Sequence, residues 1–170
     1  MKKIAILSDT HGHIDASILE YCRGCDEIWH AGDIGSLQVI EALQEIAPLR
    51  AVYGNIDDQS LRRVLPEHLD FETEGLRVFM THIGALPPRY SKKVKNLLDT
   101  HRPHLFVCGH SHILRVIPDP ARGLLYLNPG AAGHHGFHSM RTMLHLYIAE
   151  GKAQKMEVIE LGKRGRPTAV

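Results

Sequence analysis

The sequence predicts an α/β protein: two mixed β-sheets packed face to face as a sandwich, flanked by helices. Three observations carry this. The N-terminal part alternates short apolar runs with amphipathic segments in the order βαβαβ, which calls for parallel strands and right-handed crossovers. The remainder is dominated by three hairpin patterns, which call for antiparallel pairing. At 170 residues and 44% hydrophobic content, one domain with a sizeable core is expected, so both kinds of strand belong to one layered unit.

Each element has its own local reason. Ile4 to Leu7 is a buried-strand run, giving a strand over 3–8, and a helix follows over 14–23. A strand over 26–31, a helix over 36–46, a strand over 49–53 and a short helix over 58–64 continue the alternation. "FETEGLRVFMTH" reads as a hairpin turning at Glu74-Gly75. A helix over 91–100 and a strand over 104–108 come next. "ILRVIPDPARGLLYL" turns through Pro118 to Gly123, and "RTMLHLYIAEGKAQKMEVIEL" turns at Glu150-Gly151. The domain is expected to span 1–162, with 163–170 a basic, frayed tail.

Composition narrows the function classes. Twenty basic residues face 19 acidic ones with no long like-charge block, so sequence-independent nucleic-acid binding has little support. No run of about 18 apolar residues suggests a membrane span. The first apolar run is too short for a secretion signal, and three cysteines are too few and too odd for a disulfide framework; a cytoplasmic location is expected. Cys22 and Cys25 form a C-x-x-C, but it follows a helix and precedes a strand, the reverse of a redox motif, and a thiolate zinc site would need a fourth cysteine. Both read as small apolar residues in a turn. Hairpin edges would suit a homodimer.

Thirteen histidines are unusual, and their placement matters more than their number. Just past successive strands come Asp9 and His11, then Asp33, Asn55, His82, and finally His110 and His112. In an α/β sheet, ligands bind outside the carboxyl ends of the strands, so these distant residues would converge on one rim. Any single Asp or Asn here reads better as a helix cap than as a ligand. Seven donors at five strand ends do not read as seven independent caps. They exceed the four ligands of a tetrahedral zinc and suit two cations sharing a bridging carboxylate. Imidazole mixed with carboxylate and amide oxygen favours manganese, iron, zinc or nickel over calcium or magnesium without choosing among the four; two divalent ions, manganese first, are expected.

"DTH" at 9–11, "GD" at 32–33, "GN" at 54–55, "TH" at 81–82, "GHSH" at 109–112 and "NPGA" at 128–131 together resemble the calcineurin-like metallophosphoesterase family, in its small bacterial and archaeal phosphodiesterase branch. The resemblance implies that Asp9, His11 and His112 hold one metal and Asn55, His82 and His110 the second, with Asp33 bridging. It implies a small phosphodiester substrate, attacked at phosphorus by a hydroxide that the two cations generate from water, with Asn55 also facing the phosphoryl group. Gly109 would let the backbone turn tightly beneath the metals. No protein nucleophile is evident.

The chain departs from the family pattern at Ile56, where many members carry a histidine that assists the leaving group. The glycine-rich "AAGHHGFHS" stretch, with His134, His135 and His138, is the candidate replacement: His134 and His135 for substrate binding and His135 as proton donor. His30 is a candidate support for a ligand, and His13 is expected in solvent. His68, His101, His104 and His145 read as surface or internally satisfied. Two other functions stay open: a scaffold on the same fold, and a phosphomonoesterase or nucleotide pyrophosphatase.

Overall fold

The computed structural model describes residues 1–165. The alternating part comprises β1 (Lys2–Leu7), α1 (Ala16–Cys22), β2 (Glu27–His30), α2 (Leu37–Gln44), β3 (Leu49–Ala51) and α3 (Gln59–Arg62). Then follow β4 (His68–Thr73), β5 (Leu76–Thr81), α4 (Lys92–His101), β6 (Leu105–Val107), β7 (Leu114–Asp119), β8 (Leu124–Pro129), β9 (Met140–Ala149) and β10 (Lys152–Lys163). Every expected element is present, most differing only at their ends.

The strands form two mixed sheets of five, ordered β10-β9-β1-β2-β3 and β4-β5-β6-β8-β7. β1, β2 and β3 run parallel, as do β5, β6 and β8, while the hairpin partners are antiparallel. Strand periodicity sorts the side chains into layers. Ile4 and Ile6 join Trp29, Val78, Met80 and Val107 in the core between the sheets. Their neighbours Ala5 and Leu7 face the other way, packing with Ile18, Val39 and Leu43 of α1 and α2. On the far face Phe79, Phe106 and Tyr126 lie against Val94 and Leu98 of α4. Each such side chain contributes roughly 1.5–3 kcal/mol on leaving water. The layers are therefore helix, sheet, sheet, helix.

Side-chain caps start three of the four described helices: Asp15 accepts from the Ile18 amide, Asp58 from those of Ser60 and Leu61, and Ser91 from that of Val94. Cys22 and Cys25 are free thiols packed in the α1–α2 layer, and burial pushes Cys22 up to about 12, so both act as apolar filler. The first residues of the expected basic tail are tied to the fold. Lys163 still pairs with Met140, and Arg164 donates from its amide to Ser139 and from Nε to His138. The rest of the expected tail, 166–170, lies outside the described residues.

Glu27, buried in β2, accepts from Lys2 Nζ at 2.7 Å, Trp29 Nε1 at 2.9 Å and Arg50 Nε at 3.0 Å. Burial alone would raise its pKa, but the Arg50, Lys2 and Trp29 donors outweigh it and hold Glu27 at about 2. A depressed carboxylate contributes stability above its ordinary pKa, and that contribution fades as pH falls from about 4.5 toward 2. Glu27→Gln is expected to destabilise the fold by ~1–2 kcal/mol at pH 7, discounted because the cationic partners reach solvent. The gap between variant and wild type should close as pH drops through that window, as measured by chemical denaturation.

Candidate metal centre

The donor loops all leave the carboxyl ends of parallel strands, and they are tied to one another. The Asp9 amide donates to Gly32 O and the His11 amide to Asp33 O, joining the β1 and β2 loops. Ala132 and Gly133 donate to Ser8 and Asp9, bringing in the loop after β8. His82 Nδ1 lies 2.7 Å from Ala31 O, and the His110 amide donates to Asp9 Oδ2, which crosses from one sheet to the other.

Five of the seven donors sit in the left-handed region: Asp9 (φ 55°), His11 (47°), Asp33 (53°), His110 (71°) and His112 (62°). That conformation costs about 1–2 kcal/mol per residue, and Asp and His tolerate it better than most. Such concentrated strain is characteristic of a functional site. It also removes the capping alternative: α1 is capped by Asp15 and α2 begins at Ser36, so neither Asp9 nor Asp33 caps a helix.

Gly109 plays a different part from the tight turn the sequence suggested. Its φ is not positive; a Cβ there would strike Ser8 Oγ and Asp9 Oδ2. A Cβ on Gly54 would likewise strike the Asp33 carboxylate. Each glycine makes room for a donor from another loop.

The donor atoms fall into two groups. Those of Asp9, His11 and His112 lie within 4.8 Å of one another, as do those of Asp33, His82 and His110. His112 Nε2 is 3.1 Å from Asp9 Oδ1. Asp33 Oδ2 stands between the groups, 3.4 Å from His11 Nε2 and 3.2 Å from His82 Nε2. Asn55 Oδ1 is 3.1 Å from His110 Nδ1. Asp9 Oδ1, His11 Nε2 and His82 Nε2 are buried with no hydrogen-bond partner, although each points into this cluster. Unsatisfied buried polar atoms are costly, and divalent cations between them would supply the missing partners. The residues therefore fit a metal centre.

The electrostatics agree. Burial works to raise Asp9 and Asp33, yet the surrounding imidazoles outweigh it and hold both carboxyls far below the usual range. Burial works to lower His11, but Asp33 and Asp9 overcome it and raise it to about 9. Two carboxylates this close demand positive charge, and without a cation they take it from a proton.

Above the centre lies a cavity of about 440 Å³ whose walls include Ile56, Ile113, His135, Phe137 and His138. His135 stacks on His11 with ring centroids 4.7 Å apart, and His138 meets His112 edge-on at 5.2 Å. His134, expected beside the substrate, turns away: its Nδ1 bonds to Gly165 O and its ring abuts His13. His13, expected in solvent, is half-buried and 2.9 Å from Asp15, which Arg141 also engages at 2.8 Å. The adjacent His134 and His135 thus face opposite ways, which histidine spacing alone does not reveal.

Among the described residues, His30 forms no hydrogen bond to a donor side chain. Burial lowers it to about 3, so it is neutral; Nδ1 accepts from the Gly32 amide and Nε2 contacts Thr10 Oγ1, shaping the Asp33 loop. His68, His101, His104 and His145 each have a partner elsewhere: Thr81, Asp70, the Arg77 amide and Tyr21 O. Sequence reasoning missed two organisers. Asp57, buried, accepts from the amides of Ile34, Gly35 and Gly54. Asn128 donates to Gly109 O and accepts from the Gly130 amide, fixing the His110 loop. The available signals were the Asp two residues past "GN" and the Asn opening "NPGA".

The whole-chain comparisons agree with this geometry. The sequence profile of the calcineurin-like phosphoesterase superfamily domain matches residues 1–151. A protein of Methanothermobacter thermautotrophicus named "Probable metallophosphoesterase" is 28% identical over 135 residues, covering 75% of this chain and 76% of its own. A protein of Methanocaldococcus jannaschii named as a phosphodiesterase is 24% identical over 146 residues, covering 75% and 82%. In fold, Vps29 of Entamoeba histolytica, solved with zinc, superposes with a TM-score of 0.71 at 16% identity, covering 94% of this chain and 99% of that one. The profile runs from β1 to the β9–β10 turn and so takes in every strand that carries a donor; the chain belongs to the calcineurin-like phosphoesterase superfamily.

Proposed function

We propose that this protein is a dinuclear metal-dependent phosphodiesterase, most active with manganese and working in the cytoplasm. The observation that carries the reading is the pair of donor groups with Asp33 Oδ2 facing both, and three buried, partnerless donor atoms aimed between them. Two divalent cations held there would activate water and offset charge developing on the phosphoryl oxygens. The chain's own residues do the rest. Asp9, His11 and His112 hold one side, and His82, His110 and Asn55 the other. Asn55 also orients the phosphoryl group. Ile56 cannot donate a proton, and His135, lining the cavity against His11, serves the leaving oxygen.

The direct test is release of p-nitrophenol from bis(p-nitrophenyl) phosphate. Turnover is expected with added Mn²⁺ and should vanish with excess chelator; a chain inert with every divalent ion tried sinks the proposal. His135→Ala should lower kcat by ~10²-fold on alkyl diesters while sparing p-nitrophenyl substrates, whose leaving group needs no proton. An equal loss on both would remove His135 from that role.

A second reading is favoured by the likeness to Vps29 and by the exposed Ile56, Ile113 and Phe137 at the cavity mouth: a binding module on the same fold. The same assay separates them, because a module has no need of turnover.

A further inference from the structure

Asn55 stands where two cavities meet. The one above the metal centre is walled outward by Ile56, Ile113 and Phe137. The other, about 460 Å³, opens beside Asn55 and His82 and runs toward α4. Each is large enough for an organic group. A monoester would fill only one of them; a diester has an arm for each.

Their chemistry differs. The cavity toward α4 has an apolar floor of Tyr53, Val94 and Leu97, with two cations, Arg62 and Lys93, at its walls. Arg62 is fixed: its Nε donates to Asp57 O at 2.6 Å, and its guanidinium lies over the Tyr53 ring at 4.7 Å. Among the described residues it forms no ion pair with a carboxylate. Lys93 is 3.0 Å from Glu67, the one acidic side chain lining the cavity apart from the metal centre. Two cations against one carboxylate leave this chamber a net positive charge. The opposite chamber presents an exposed phenyl ring and two isoleucines at its outer wall.

Resting on the phosphodiesterase reading above, we infer that the substrate is an unsymmetrical phosphodiester. Its phosphorus lies at Asn55 and a compact apolar ester group lies against Ile113 and Phe137. The other arm, nucleotide-sized and carrying a second phosphate, occupies the chamber between Tyr53 and Lys93. Hydrolysis adds the oxygen of water to phosphorus and breaks one P–O ester bond, with a proton passing to the departing oxygen. The flat organic part of the long arm covers the Leu97 floor, and its extra phosphate meets Lys93 and Arg62. Guanidinium and ammonium groups bind phosphate through charge-assisted hydrogen bonds.

The dinucleotides TpT and pTpT differ only in a terminal phosphate and test this directly. With the manganese-loaded protein, pTpT is expected to show kcat/KM about 10-fold above TpT, through KM, the scale of one added charge-assisted contact. Lys93→Glu, and more mildly Lys93→Ala, should bring the ratio of the two substrates toward one. Lys93 is exposed, so neither change threatens the fold. In the zinc-loaded protein, pTpT should shift the amide resonances of Ser91, Lys93 and Leu97, and Lys93→Glu should abolish those shifts. Cleavage of both dinucleotides with a ratio of one, or a ratio untouched by Lys93→Glu, overturns the chamber assignment and leaves the hydrolase standing. Lys93-dependent shifts without cleavage of any diester keep the chamber and overturn the hydrolase.

Discussion

Asp33→Asn is expected to abolish metal-dependent turnover, with a loss of at least ~10³-fold, the upper scale for removing one electrostatic stabiliser at a reacting centre. The reason is geometric. Asp33 Oδ2 lies 3.4 Å from His11 Nε2 and 3.2 Å from His82 Nε2, so this one oxygen faces both donor groups. Its second oxygen is committed to the Ile56 amide at 3.1 Å. An amide offers a single neutral acceptor. If that oxygen keeps the Ile56 bond, an NH₂ faces the space where cations belong; if it turns, the loop after β3 loses its anchor. Elemental analysis should find fewer than two metals per chain in the variant. Near-wild-type activity with full metal content would refute the bridging role.

Asp57→Ala is expected to have the second-largest effect, although Asp57 holds no metal. It is 3% exposed and accepts three backbone N–H bonds, at 3.1 Å from Ile34, 2.8 Å from Gly35 and 2.8 Å from Gly54. Two of these amides lie just past Asp33 and the third just before Asn55, so one carboxylate sets the spacing of two donor loops. Hydrogen bonds to a charged acceptor are worth about 1.5–3 kcal/mol each, and orphaned buried amides add cost. Allowing for non-additivity and water entry, a loss of ~3–4 kcal/mol follows. Metal affinity should fall ~10–100-fold, the usual result of removing a group that orients ligands. Denaturation of the metal-free chain measures the first effect and metal titration the second. Wild-type stability in Asp57→Ala would show that the loops are positioned by other contacts. Asp57→Asn, which retains an acceptor oxygen, should lie between.

The elements were legible because local patterning and tertiary burial agree. Ile4 and Ile6 alternate with Ala5 and Leu7, and the two sets enter different layers of the core. The hairpins were marked by Glu74-Gly75 and Glu150-Gly151, where all four residues adopt positive φ. The glycine-rich loop was not legible. His134 and His135 are adjacent and chemically identical, yet one bonds to Gly165 O and the other stacks on His11. Nothing local distinguishes them. Near the start of the expected tail, charge and glycine pointed to fraying, while Arg164 finds backbone carbonyl partners on the neighbouring loop.

By itself the sequence determined the layer order, the parallel run of β1 to β3, the three antiparallel hairpins and the seven residues at the strand ends, though not the parallel pairing of β5, β6 and β8. These depend on periodicity and turn chemistry, which act over a few residues. Only the tertiary structure decided that Asp33 faces both donor groups, that Asp57 spaces the loops, that His134 leaves the site while His138 joins it, and that a second chamber opens at Asn55. Those outcomes depend on how two sheets, each with its own twist, bring their carboxyl rims together, and that approach is set by long-range packing.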